Sequence, residues 1–194
     1  MRGLTYGTYP EVLYSMPYNG AAIANTTSRT LLTTTSAGTS SEPFKLPPTF
    51  WDPARPAGQA FKVDACGFIS TTSTPTFTFA AALDTTQGTF GTNLASTGAY
   101  TTGSGLSSAL IKAEFICTVQ GLGSSGTLTV AGTLTTGGAG NATTSAATVY
   151  AIGTSGDVAI NTTVDNYLEL WGTWGTASSS NTVTLFSFLV TALN

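Results

Sequence analysis

From residue 61 onward the chain alternates, with at least eight segments placing an apolar side chain at every second position and a hydroxyl or charged residue between. Successive side chains on an extended backbone point to opposite faces, so a period of two specifies strands with one face against a core; a helix needs spacings of three and four. In residues 61–69, Phe61, Val63, Ala65 and Ile69 share one face, while Lys62 and Asp64 lie on the other. Residues 74–83 set Phe77, Phe79, Ala81 and Leu83 against threonines, with Pro75 suited to the strand's first residue or to an edge. Residues 108–119 alternate Ile111, Ala113, Phe115, Cys117 and Val119 with Leu110, Lys112, Glu114 and Ile116. Apolar surface on both faces predicts cover on both sides. Further strands are read at 127–135, 147–152, 158–162, 167–174 and 182–192, and a first one at 23–35.

Clusters of Gly, Ser, Asn and Thr at 103–105, 121–126, 137–141, 153–156 and 178–181 supply the turns. The segments 167–174 and 183–190 flank one such cluster and are expected to pair as a long hairpin. Irregular strand spacing with long and short connections favours two packed sheets over an up-and-down barrel. No repeat of 20 to 50 residues is visible, which argues against a solenoid or propeller. The expected fold is all-β, a single jelly-roll (Greek-key) β-sandwich over residues 21–194. Residues 1–20 read as an extended N-terminal arm, with Tyr6, Tyr9, Tyr14 and Tyr18 among Pro10 and Pro17 and no strand or helix pattern. Four rings cannot be buried by so short a segment folding on itself, so the arm is expected to lie across another surface. Arg2 and the four tyrosines are its candidate partner-binding residues; the alternative is a terminus packed on its own domain. Residues 43–51 read as an extended segment closing one end of the sandwich.

Composition narrows function. The chain has six Lys and Arg, nine Asp and Glu, a net charge of -3 and only 8% charged residues. With three Trp, seven Tyr and ten Phe, it does not resemble a disordered chain. Its cations are scattered, so no basic stripe exists to displace counterions from phosphates and nucleic acid is not expected as a partner. The absence of histidine removes the usual neutral-pH base and the commonest metal ligand. Cys66 and Cys117 fit no zinc spacing and read as buried thiols, free to pair only if neighbouring strands bring them close. The first twenty residues hold no apolar core of a signal peptide, and no apolar stretch predicts a membrane span, so synthesis in a cytoplasm is expected.

Catalytic and ligand-binding patterns are weak. Among the carboxylates only Glu114 and Glu169 suggest an acid/base dyad, and strand-face solvation or an ion pair with Lys112 or Lys62 is the plainer reading of both. Asp157 with Asn161, or Asp165 with Asn166, offers ligands for calcium. Residues 121–126 lack the Lys and helix of a phosphate loop. Asn25, Asn141 and Asn161 begin glycosylation sequons that mean nothing without a secretory route. Trp171 and Trp174 point to opposite faces of a regular strand, so one can be core and the other a subunit contact or glycan-stacking platform; core for both is the alternative. No catalytic residue, cofactor or metal is expected.

The order of features from Ala22-Ile23-Ala24-Asn25-Thr26-Thr27 onward resembles a family of tailed-bacteriophage virion proteins. The resemblance continues through Phe44-Lys45-Leu46-Pro47-Pro48-Thr49-Phe50-Trp51, then Gly58-Gln59-Ala60-Phe61-Lys62-Val63-Asp64-Ala65-Cys66-Gly67-Phe68-Ile69 and Thr74-Pro75-Thr76-Phe77-Thr78-Phe79. It ends in Tyr167-Leu168-Glu169-Leu170-Trp171-Gly172-Thr173-Trp174 and the segment up to Leu185. Such proteins are similar to capsid decoration (cement) proteins, head fibres and tail-tip proteins, commonly trimeric jelly rolls. The resemblance implies a non-enzymatic protein on the outer surface of a phage head, made in the bacterial cytoplasm. Its partners would be the major capsid protein and copies of itself in a homotrimer, with no nucleic acid and no membrane. The alternatives are a tail or head-fibre receptor-binding domain that recognises host glycan, and a tail-tube or baseplate component.

Overall fold

A computed structural model of the chain describes residues 11–17, 19–34, 43–54, 57–137, 147–154 and 156–193. Among them there is no α-helix, only a 3-10 turn at Pro48–Phe50 and fourteen strands. In chain order the strands are β1 (Glu11–Ser15), β2 (Ile23–Ala24), β3 (Thr30–Leu31), β4 (Phe44–Leu46), β5 (Ala60–Ser70), β6 (Thr76–Asp84) and β7 (Thr92–Ser96). There follow β8 (Tyr100–Thr101), β9 (Ala109–Gly121), β10 (Gly126–Thr136), β11 (Thr148–Gly153), β12 (Val158–Ile160), β13 (Asn166–Trp174) and β14 (Thr182–Ala192).

The fold is the all-β sandwich that the alternation predicts. The first layer runs β1-β14-β5-β9-β10-β11, with β12 against β10 and β2 against β14; the second runs β7-β6-β13, with β8 against β6 and β3 and β4 along the far edge of β13. A single rung, Ser96 opposite Gly153, joins the layers along one side. The inner faces carry the predicted side chains: Phe61, Val63 and Ile69 from β5, Ile111, Phe115 and Val119 from β9, and Phe77, Phe79 and Leu83 from β6 are all buried in one cluster.

The expected hairpin of residues 167–174 with 183–190 does not form. β13 pairs with β6, Trp174 opposite Phe77 and Leu170 opposite Ala81, whereas β14 pairs with β5. Residues 175–181 therefore cross from one sheet to the other. Each strand finds a long in-register apolar neighbour in a central strand, and the crossing is held where the Thr72 N–H donates to Asn181 Oδ1 at 3.0 Å. The strand expected at 23–35 divides into β2 and β3, which join opposite sheets.

The sandwich also begins earlier than residue 21. β1 pairs with β14 from Glu11 opposite Ala192 to Ser15 opposite Leu189, with Leu13 bulged out of register. The Tyr14 ring lies 5.3 Å from Phe188 and 5.8 Å from Phe44, committed to the domain's own core margin. For residues 11–16 the terminus thus packs on its own domain. Arg2, Tyr6, Tyr9 and Tyr18 lie outside the described residues. The outer edge of β1 is short and bulged, with Pro17 after it, devices that discourage another strand from pairing there.

Candidate interaction surface

The outward positions of the first sheet form a ruled array. Antiparallel register sets Lys62 opposite Ile116, Asp64 opposite Glu114, Cys66 opposite Lys112, and Phe68 opposite Leu110. Four ionic side chains thus make a compact strip across β5 and β9. Lys62 Nζ reaches Glu114 Oε1 at 2.6 Å and Asp64 Oδ1 at 3.4 Å, while Lys112 Nζ reaches Glu114 Oε2 at 2.7 Å. The hydrogen bonds from Lys112 and then Lys62 push the Glu114 carboxyl down to about 2, and both ammonium groups are correspondingly raised. Two cations and two anions cancel, so the strip presents polar atoms with no net charge.

Beside it lies an apolar patch that the sequence reading missed. Phe68 is 47% exposed, Leu110 49% and Phe186 37%, and the two rings meet at 4.9 Å. Phe186 reaches this face because β14 bulges between Leu185, opposite Gly67, and Ser187, opposite Cys66. The signal is a phase slip: Val183 and Leu185 face inward, then Phe188 and Val190, so the inward positions change from odd to even and the two residues between, Phe186 and Ser187, both lie outside the core. Gly67 accommodates the bulge, since a Cβ there would fall on the Thr184 carbonyl oxygen. Ile116, at the other end of the strip, adds a further exposed apolar side chain.

The candidate residues read from the sequence are placed as follows. Trp171 and Trp174 are both buried. Trp174 packs inward at 4.8 Å from Phe77 and donates from Nε1 to the Ile23 carbonyl at 3.3 Å. Trp171 faces outward on the second sheet, but Phe90 covers it edge-on at 5.6 Å and the Arg29 guanidinium lies 3.7 Å over Phe90. Neither indole is a stacking platform, because local chain segments occupy the faces a glycan would use.

Glu114 and Glu169 do not come together. They lie on the outer faces of opposite sheets, separated by a core about 10 Å thick, which leaves no common bond for both to flank. Glu169 is 1% exposed; Oε1 accepts the Gly88 N–H at 2.8 Å, Oε2 has no partner, and burial raises its pKa. The calcium candidates are engaged separately: Asp157 Oδ1 accepts the Thr129 hydroxyl, Asn161 Oδ1 accepts the Thr163 N–H and hydroxyl, and Asp165 pairs with Lys45 at 2.7 Å. Cys66 and Cys117 occupy neighbouring strands but opposite faces, and the residues facing β5 at these rungs, Lys112 and Cys117, are five positions apart along β9. That is about 17 Å, far beyond disulfide reach.

Comparison of the chain with protein-family models, with curated proteins and with solved structures found no match.

Proposed function

We propose that this chain is a non-enzymatic structural protein of a phage virion, a capsid decoration (cement) protein that binds the outside of the head and assembles as a homotrimer. The observation that carries this reading is the outer face of the first sheet. Phe68, Leu110 and Phe186 form a contiguous apolar patch beside ions that neutralise one another, a surface suited to burial against a neutral partner. Such a contact is weakly sensitive to salt, because screening acts on exposed unpaired charge. A protein that binds only the assembled lattice stabilises that lattice by mass action.

Residues 1–10, which carry Arg2, Tyr6 and Tyr9, remain the candidate grip on the major capsid protein or a neighbouring copy. Deletion of residues 1–10 spares β1 and tests that role without removing an edge strand. The deciding experiment is co-sedimentation with empty heads that lack the protein, together with its mass in solution. Saturable binding by a trimer supports the reading; a monomer that ignores heads overturns it. A receptor-binding domain is the second reading, and with both indoles buried it needs a ligand site elsewhere on the sandwich. A tail-tube or baseplate component would instead form rings.

A further inference from the structure

A cleft of about 410 Å³ opens at one end of the sandwich, where the end of β6 and the starts of β7 and β13 meet β12 and the turn around Ser124. Its volume falls in the usual range for small-ligand sites, roughly 300–1,000 Å³. Three polar side chains define its chemistry. Asn166 is 4% exposed, and its Nδ2 donates to the carbonyls of Asn161 at 2.8 Å and Val164 at 2.9 Å. Carbonyls only accept, so the amide orientation is decided and Oδ1 is the atom left for the cleft. Asn161 is fixed in the opposite sense: its Oδ1 accepts the Thr163 N–H, which leaves Nδ2 as a donor. Asp84 supplies a carboxylate whose Oδ1 takes the Thr86 N–H at 2.6 Å. Gly91 makes room for that carboxylate, since a Cβ at 91 would fall on Asp84 Oδ2.

We infer that this cleft binds a neutral saccharide through adjacent hydroxyls. A hydroxyl both donates and accepts, and a pair of neighbouring hydroxyls matches a carboxylate, an oriented carbonyl oxygen and an oriented amide N–H. Asp84 is the only charged residue among those lining the cleft, so anionic ligands meet an unpaired negative charge. A single carboxylate is too few for a dedicated calcium cage. Ala159 offers a small apolar surface for a sugar's C–H face, and Thr85, Thr92 and Ser124 line the rim.

The test is saturation-transfer NMR and calorimetry on the full chain with glucose, galactose, N-acetylglucosamine and N-acetylneuraminic acid. At least one neutral sugar is expected to bind saturably with Kd of order mM, and the anionic sugar at least tenfold more weakly. Asp84→Asn keeps the side chain's shape, and Asn161→Asp keeps the acceptor for Thr163 while reversing the donor. Each should weaken binding tenfold or more with the melting transition retained. No saturable binding by any neutral sugar at about 50 mM, where a mM ligand is bound, overturns the inference. So does unchanged affinity in both folded variants, equal binding of the anionic sugar, or binding that needs added Ca²⁺.

Discussion

Trp174→Ala separates a core tryptophan from a contact tryptophan. The indole is 1% exposed, packs on Phe77 at 4.8 Å and donates a hydrogen bond to the Ile23 carbonyl. Truncation removes a large buried aromatic and leaves a cavity, at a cost of about 3–5 kcal/mol. Within that loss, the ring pair accounts for about 0.5–1.5 kcal/mol and the long 3.3 Å hydrogen bond for about 0.5 kcal/mol, the low end of its class. In a domain of this length each kcal/mol moves Tm by about 2–4 °C, so Trp174→Ala should lower Tm by about 6–20 °C. Trp174→Phe retains most of the packing and loses the hydrogen bond, and is expected to fall by less than half as much. Calorimetric melting of the three proteins measures both differences. A Trp174→Ala protein that melts within about 2 °C of the parent would refute the burial argument and return the indole to the surface.

Phe68→Ser combined with Phe186→Ser removes two side chains that are each about half buried and should cost about 2–3 kcal/mol, leaving a folded protein; if the proposed trimer forms through this patch, the variant should sediment as a monomer, and a folded variant that still trimerises removes the patch from the interface. Glu114→Gln should cost no more than about 1 kcal/mol at pH 7, given the exposure of the pair. Because the folded pKa of Glu114 lies below the unfolded one, that contribution is present above about 4.5 and disappears as pH falls through about 2. Urea midpoints of parent and variant should therefore converge in acid, and a constant gap would count against the strip. Glu169 has the opposite sign: burial raises its folded pKa, so the parent loses stability as pH rises from the ordinary carboxylate value through the folded one. Glu169→Gln should be flatter with pH over that window, and parallel profiles would contradict the assignment. Gly132→Ala should destabilise by about 1–3 kcal/mol, because a Cβ there collides with the Glu114 carbonyl and Phe115 across the sheet; a neutral denaturation midpoint would show that β9 and β10 separate easily.

The local level of the structure was legible and the long-range level was not. Alternation in β5, β6, β9 and β10 identified the inward side chains because side-chain direction is set residue by residue. It could not identify partners, since any strand with a period of two presents an acceptable edge to any other. Hence β13 and β14, adjacent in sequence, were expected to pair although each belongs to a different sheet. β1 escaped notice because it covers only one margin, so Val12 and Tyr14 need no strict alternation. In the candidate surface, the sequence offers Glu114 either solvation or one lysine partner, whereas the triple contact with Lys62 and Lys112 needs the register of two strands. Phe186 was hidden by the bulge that exposes it. The alternation leaves Trp171 open between core and surface because its cover, Phe90 and the Arg29 segment, comes from distant parts of the chain.

The positions of β5 and β6 bear on when the domain becomes stable during synthesis. Both are central strands, and each receives a neighbour from far along the chain, β14 beside β5 and β13 beside β6. A nascent chain that has reached β12 can form the β9–β10 meander, but one flank of each central strand is still open to water. The second flank arrives only once β13 and β14 have followed. Closure therefore waits for those two strands, and loss of β14 should leave a chain that collects on chaperones instead of folding into a smaller sandwich.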